Sequence, residues 1–172
     1  MLRDFRQRLT QNAQRTSPIA DAYDLTMTIL LSHIGLAVSD LDAAVSFFTE
    51  ALGFEAGGTF ASGDEVADLA EIDGGRAQMR MRYIVKDGVR IELMCWTVPG
   101  PMGTPSPSRA QLGLTHLCIQ VDDVDAEAAR LASYGATILQ RTRTEVQNET
   151  GHIVMLCVSV LDGLRIELLQ RG

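Results

Sequence analysis

The sequence predicts an α+β fold built from two copies of one unit, and three observations carry that prediction. The segment His33-Ile-Gly-Leu-Ala-Val-Ser-Asp-Leu-Asp-Ala-Ala returns as His116-Leu-Cys-Ile-Gln-Val-Asp-Asp-Val-Asp-Ala-Glu. The segment Asp87-Gly-Val-Arg-Ile-Glu-Leu returns as Asp162-Gly-Leu-Arg-Ile-Glu-Leu, in the same order relative to the first pair. Between the copies lie four of the five prolines, Pro99, Pro101, Pro105 and Pro107, which exclude regular helix or strand there. Two matched ends in one order mark a tandem duplication.

Each copy reads as strand, helix and further strands. His33 to Val38 alternates, with Ile34, Leu36 and Val38 on one face and His33, Gly35 and Ala37 on the other. Ser39 or Asp40 can cap a helix whose apolar stripe is Leu41, Ala44, Val45, Phe48 and Leu52, with Gly53 at its end. The second copy repeats this grammar: a strand over His116 to Val121, a cap at Asp122 or Asp123, a helix over Ala126 to Ser133, and Gly135. Arg76 to Val85 and Val89 to Trp96 read as a hairpin around Lys86-Asp87-Gly88. Gly151 to Val160 and Leu164 to Leu169 do the same around Leu161-Asp162-Gly163, and residues 57–75 read as one strand plus a loop. The organisation expected is an N-terminal extension (1–29), a first module (30–97), a proline-rich linker (98–113) and a second module (114–172), the modules forming one structural domain.

Composition narrows the function. The 172 residues are 46% hydrophobic and 22% charged, ordinary globular values. Twenty-two acidic against 15 basic side chains leave a net charge of −7, which argues against nucleic acid as a partner. The longest apolar run, residues 153–161, is broken by Ser159 and is too short to span a bilayer. The N-terminal arginines Arg3, Arg6, Arg8 and Arg15 are not followed by the apolar stretch of a secretory signal. A cytoplasmic protein with Cys95, Cys118 and Cys157 as buried, reduced thiols is expected.

Strand parity places His33, Gly35 and Ala37 with Arg90, Glu92 and Met94, and His116, Cys118 and Gln120 with Arg165, Glu167 and Leu169. If the apolar faces pack on the helices, His33, Glu92, His116 and Glu167 point to the opposite, concave face. One histidine or glutamate in such a place is usually a solvated surface residue. Four at equivalent positions of two copies are better read as nitrogen and oxygen ligands for one divalent metal, drawn from Ni, Co, Zn, Mn or Fe. Met94 and Trp96 share parity with Glu92 and are candidates for an apolar, substrate-binding wall. Arg80 and Arg82 share a face with Gln78, and Met79, Met81 and Tyr83 take the other. Lining the cup, the two arginines would bind a carboxylate or phosphate of the substrate; facing outward, they would be a solvated edge.

His33-Ile-Gly-Leu-Ala-Val-Ser-Asp with Phe47-Phe-Thr-Glu-Ala-Leu-Gly-Phe, and the paired Arg-Ile-Glu-Leu strands, resemble the vicinal oxygen chelate superfamily (glyoxalase, bleomycin resistance, dioxygenase). The resemblance covers residues 31–170. It implies tandem βαβββ modules forming a curled, eight-stranded mixed sheet around a metal cup, with helices on the outer face. It implies His33, Glu92, His116 and Glu167 as ligands of one divalent metal. It makes Glu167 the candidate catalytic base and Glu92 a second one, a purely structural ligand role for Glu167 being the alternative.

Two branches are close, glyoxalase I and methylmalonyl-CoA epimerase. Glyoxalase I usually carries an arginine four residues after its first histidine, where this chain has Ala37, which argues against glutathione as cosubstrate. Thr104-Pro-Ser-Pro-Ser followed by Gly113-Leu-Thr-His-Leu-Cys-Ile-Gln resembles the inter-module region of the epimerases. A second catalytic glutamate of that branch would fall near Gly74-Gly-Arg-Ala-Gln, which has none. The expected activity is that of a metal-dependent isomerase or lyase, removing a proton next to a carbonyl of a small oxygenated substrate. A non-haem iron dioxygenase and a non-enzymatic small-molecule binding or resistance protein are the alternatives. A homodimer is expected, with all four ligands from a single chain; exchange of modules between subunits is the other arrangement. Neither nucleic acid nor membrane is expected as a partner.

Overall fold

The computed structural model describes residues 29–106, 108–149 and 151–172. Nearly all of the expected N-terminal extension therefore lies outside the described residues. The chain divides into Met1–Ser32 and His33–Gly172, and the second unit holds both modules.

In the first module β1 (Ile34–Ala37) leads into α1 (Leu41–Ser46), which continues as a π-helical turn over Phe47–Ala51. Asp40 caps α1, its carboxylate accepting the Ala43 N–H at 2.9 Å. Gly53 follows at φ 68°, a left-handed conformation that lets the chain leave the helix without a Cβ clash. Three strands complete the module: β2 (Glu55–Ser62), β3 (Gln78–Lys86) and β4 (Val89–Val98). Asp87 and Gly88, at φ 50° and 81°, form the two-residue turn joining β3 to β4.

The second module repeats the plan with β5 (Leu117–Gln120), α2 (Val124–Ala132), β6 (Thr137–Asn148), β7 (Gly151–Val160) and β8 (Leu164–Arg171). The Asp123 carboxylate caps α2 by accepting the N–H groups of Asp125 and Ala126, each at 2.9 Å.

Hydrogen bonding divides the eight strands into two four-stranded mixed sheets, ordered β1-β4-β3-β2 and β5-β8-β7-β6. In each, the first strand runs parallel to the last and the other pairings are antiparallel. One face of each sheet is apolar and packs on its helix. Ile84, Ile91 and Leu93 meet Leu41, Ala44 and Phe48, while Leu156, Val158, Ile166 and Leu168 meet Val124, Ala128 and Leu131, all within one buried cluster. A module of about 60 residues is marginal alone, and the shared cluster offsets that weakness. Two polar ties also cross between modules: Asp162 accepts the Ser39 N–H at 2.9 Å and the Ser39 hydroxyl, and Arg130 donates to the Ala51 carbonyl.

All three cysteines are free thiols, but only Cys157 is buried; Cys95 is intermediate and Cys118 exposed. Cys118 falls outside the burial expectation because β5 is an edge strand and its residue 118 faces away from α2. No helix among the described residues is long and apolar enough to cross a membrane.

Candidate functional site

The faces turned away from the helices carry the predicted side chains. On the first sheet His33, just before β1, approaches Glu92 of β4, with Nε2 and Oε2 3.2 Å apart. Glu92 is 13% exposed and His33 33%. Tyr83 of β3 lies directly opposite Glu92 in register. The His33 and Tyr83 rings meet edge to face at 5.5 Å, and the Arg90 guanidinium lies 5.6 Å from the Tyr83 ring centre. Burial, reinforced by the Glu92 carboxylate, pushes the Tyr83 phenol above its ordinary range. Met94 and Trp96 share this face, paired with Met81 and Met79. A Cβ at Gly35 would come within 2.9 Å of the Met94 methyl, so the absence of a side chain there seats Met94 beside Glu92.

On the second sheet His116, just before β5, faces Glu167 of β8, with Nε2 and Oε2 3.7 Å apart. Cys118 and Cys157 flank Glu167 in register on β5 and β7. Partial desolvation of its open-face position first, and then Glu167, pushes the Cys118 thiol up. The Thr115 hydroxyl lies 2.7 Å from His116 Nδ1. Arg109 reaches in from the linker, its Nη2 2.6 Å from Glu167 Oε2 and 2.9 Å from His116 Nδ1, while Nη1 donates to Cys157 Sγ at 2.9 Å.

His33 thus lies beside Glu92 and His116 beside Glu167, each pair on its own sheet. The four side chains do not gather in one chain: among the described residues no group of three or more His, Cys, Asp or Glu is placed to hold a metal ion. A cavity of about 210 Å³ between β1, the linker and the start of β8 reaches His116 but none of the other three. In kind, the donors suit a divalent cation, imidazole nitrogen beside carboxylate oxygen. The second pair already draws a cation, the Arg109 guanidinium, onto its oxygen.

Of the two alternatives for Arg80 and Arg82, the pairing favours the one away from the cup. They pair in register with Cys95 and Leu93, on the face opposite Glu92. Arg80 forms an open ion pair with Asp42 of α1 at 3.3 Å, and Arg82 Nε donates to the Gly57 carbonyl at 2.7 Å. The two-residue turn is the reason, because it sets Tyr83, and neither arginine, across from Glu92. Sequence reasoning did not single out Tyr83 or Arg109 for the site. The turn length carries the signal for the first. The second is the only charged residue between positions 98 and 113.

Comparison with known proteins gives a consistent picture. Residues 32–155 match the family model described as the glyoxalase/bleomycin resistance protein/dioxygenase superfamily. The chain is 28% identical over 146 residues to an ethylmalonyl-CoA/methylmalonyl-CoA epimerase of Cereibacter sphaeroides, covering 81% of this chain and 96% of that protein. It is 31% identical over 115 residues to a 2-epi-5-epi-valiolone epimerase of an Actinomyces species, covering 64% of this chain and 62% of that one. Among solved structures, a glyoxalase family protein from Bacillus cereus superposes with a TM-score of 0.71 at 22% identity, covering 87% of this chain and 99% of that one. A glyoxalase family protein from Enterococcus faecalis gives 0.58 at 17%, covering 83% and 98%. These two structural likenesses bear on the fold alone.

Proposed function

Because the chain belongs to the glyoxalase/bleomycin resistance protein/dioxygenase superfamily, we propose that it is a metal-dependent isomerase of the epimerase type. It would act on a small oxygenated substrate by removing and returning a proton next to a carbonyl. The observation that carries this reading is the repeated His–Glu pair, His33 with Glu92 and His116 with Glu167, on equivalent strands of two modules. Its support from relatives is that both curated matches are epimerases.

In this reading the two imidazoles and two carboxylates hold one divalent cation of the Ni, Co, Zn, Mn or Fe class. When bound, that cation polarises the substrate carbonyl and lowers the cost of negative charge developing beside it. Glu167 would take a proton from one side of the carbon as general base. Glu92 of the other module, entering protonated, would deliver its own proton to the opposite side, exchange with solvent then resetting both carboxyls. Tyr83, across from Glu92 in register, would help position that carboxylate. Met94 and Trp96 form an apolar wall that excludes water from the carbon being deprotonated. Each sheet supplies two ligands, so the site is completed in a homodimer, the His33–Glu92 pair of one copy meeting the His116–Glu167 pair of another.

Solvent exchange tests the reading across several substrate classes at once. The protein, purified and loaded with Ni²⁺ or Co²⁺, is incubated in D₂O with a panel of acyl-thioester, hydroxy-ketone and hydroxy-acid compounds, and the carbon beside each carbonyl is followed by NMR. Deuterium entering one member, and lost from it in Glu167→Gln, supports the assignment. Protein that takes up no metal and exchanges no member overturns it.

A further inference from the structure

The linker residue Arg109 is placed as a cation would be. Its guanidinium contacts three groups of the second sheet's open face: Glu167 Oε2 at 2.6 Å, His116 Nδ1 at 2.9 Å and Cys157 Sγ at 2.9 Å. Glu167 is only 17% exposed, so this pairing is shielded from solvent on its carboxylate side. Arg165 of β8 holds the neighbouring linker backbone, donating to the Ser106 carbonyl at 2.9 Å. Ser106 and Ser108 brace that stretch, the Ser106 hydroxyl donating to the Ser108 carbonyl at 2.9 Å. Among the described residues the first sheet has no equivalent. There Tyr83 lies across from Glu92 in register, and the nearby cation, Arg90, lies over the Tyr83 ring.

We propose that Arg109 is a built-in, displaceable cation that occupies the His116–Glu167 half of the metal site and must withdraw before a divalent ion can bind there. The inference rests on the metal reading given above and adds a switch to it. A guanidinium and a divalent ion cannot share one carboxylate oxygen without strong repulsion at such short range. Binding of either therefore excludes the other. The apparent metal affinity of the chain is its intrinsic affinity reduced by the fraction of molecules in which Arg109 is withdrawn. The linker thus does more than join the modules: it guards the second half-site against unspecific loading of metal.

Two measurements test this on the full chain. The first is titration of Ni²⁺ in competition with a chromophoric chelator, comparing wild type with Arg109→Gln. Removal of the competing charge is expected to tighten Ni²⁺ binding at least tenfold. The second uses only wild type and follows trypsin cleavage between Arg109 and Ala110 by mass spectrometry, with a free peptide as control for Ni²⁺ effects on the protease. Saturating Ni²⁺ is expected to speed that cleavage. Equal or weaker Ni²⁺ binding by Arg109→Gln, or cleavage unchanged by Ni²⁺ at saturation, overturns the switch and leaves the metal reading standing. Failure of both proteins to bind Ni²⁺ removes the metal reading and the switch with it.

Discussion

Tyr83 stands directly across from Glu92, its ring edge-on to His33. One side chain therefore lies beside both members of the first His–Glu pair. A carboxylate fixed by a second hydrogen bond is a better ligand than a free one, since less freedom is lost when it binds an ion.

Tyr83→Phe removes the hydroxyl and keeps the ring. Metal affinity is expected to fall by about tenfold, in line with the loss of an outer-shell partner, while thermal stability changes little. Chelator competition and a melting curve separate the two. Unchanged affinity would show that the hydroxyl does not act on the carboxylate.

The same residue sets an alkaline pH dependence. The Tyr83 phenol is raised above its ordinary value of 10.0, by burial first and by Glu92 second. Below that value the phenol is protonated in both folded and unfolded chains. As pH climbs past it, the unfolded chain loses the proton first, so the native state binds more protons and stability falls with rising pH. Near-ultraviolet titration should show a phenol ionising above the ordinary range that Tyr83→Phe lacks, and the variant should lose less stability above pH 10.

Much of this arrangement is legible in the amino-acid order alone. Alternation gives the faces of β4 and β8, and the repeat gives the equivalence of the two His–Glu pairs. Turn length supplies more than alternation does. Lys86 pairs with Val89 across the two-residue turn, so counting outward puts Tyr83 across from Glu92 and Arg82 across from Leu93. The three-residue turn after Val160 likewise puts Cys157 across from Glu167. Counted in this way, the hairpin already places the arginines on the helix side. The relation between the two pairs is not legible, because it depends on how the modules dock. That docking runs through contacts such as Ser39 with Asp162 and Arg130 with the Ala51 carbonyl, which leave no periodic trace in the sequence.

Arg130 links the acid stability of the fold to this docking. It donates to Glu127 on its own helix at 2.6 Å and to the Ala51 carbonyl in the other module. The guanidinium holds the Glu127 carboxyl below its ordinary value of 4.5. Stability from this pair is present above that value and is lost as pH falls through the depressed one. Glu127→Gln should melt slightly lower than wild type at pH 7, by less than about 1 kcal/mol for a partly solvated pair. The two melting curves should converge once the pH falls below the depressed value. A gap that persists in acid would assign the effect to helix packing and not to charge.

Subunit mixing tests how the site is completed. In the proposed dimer, each metal site joins the first module of one copy to the second module of the other. His33→Ala and His116→Ala homodimers then each lack an intact site. A mixed dimer of the two variants regains one, formed by the unaltered module of each chain. After unfolding and refolding an equimolar mixture, half of the dimers are mixed and each has one good site of two. Metal content should therefore recover to about a quarter of wild type. If all four ligands served one chain, or if each sheet bound metal alone, mixing would raise the metal content no further than the average of the two variants measured separately.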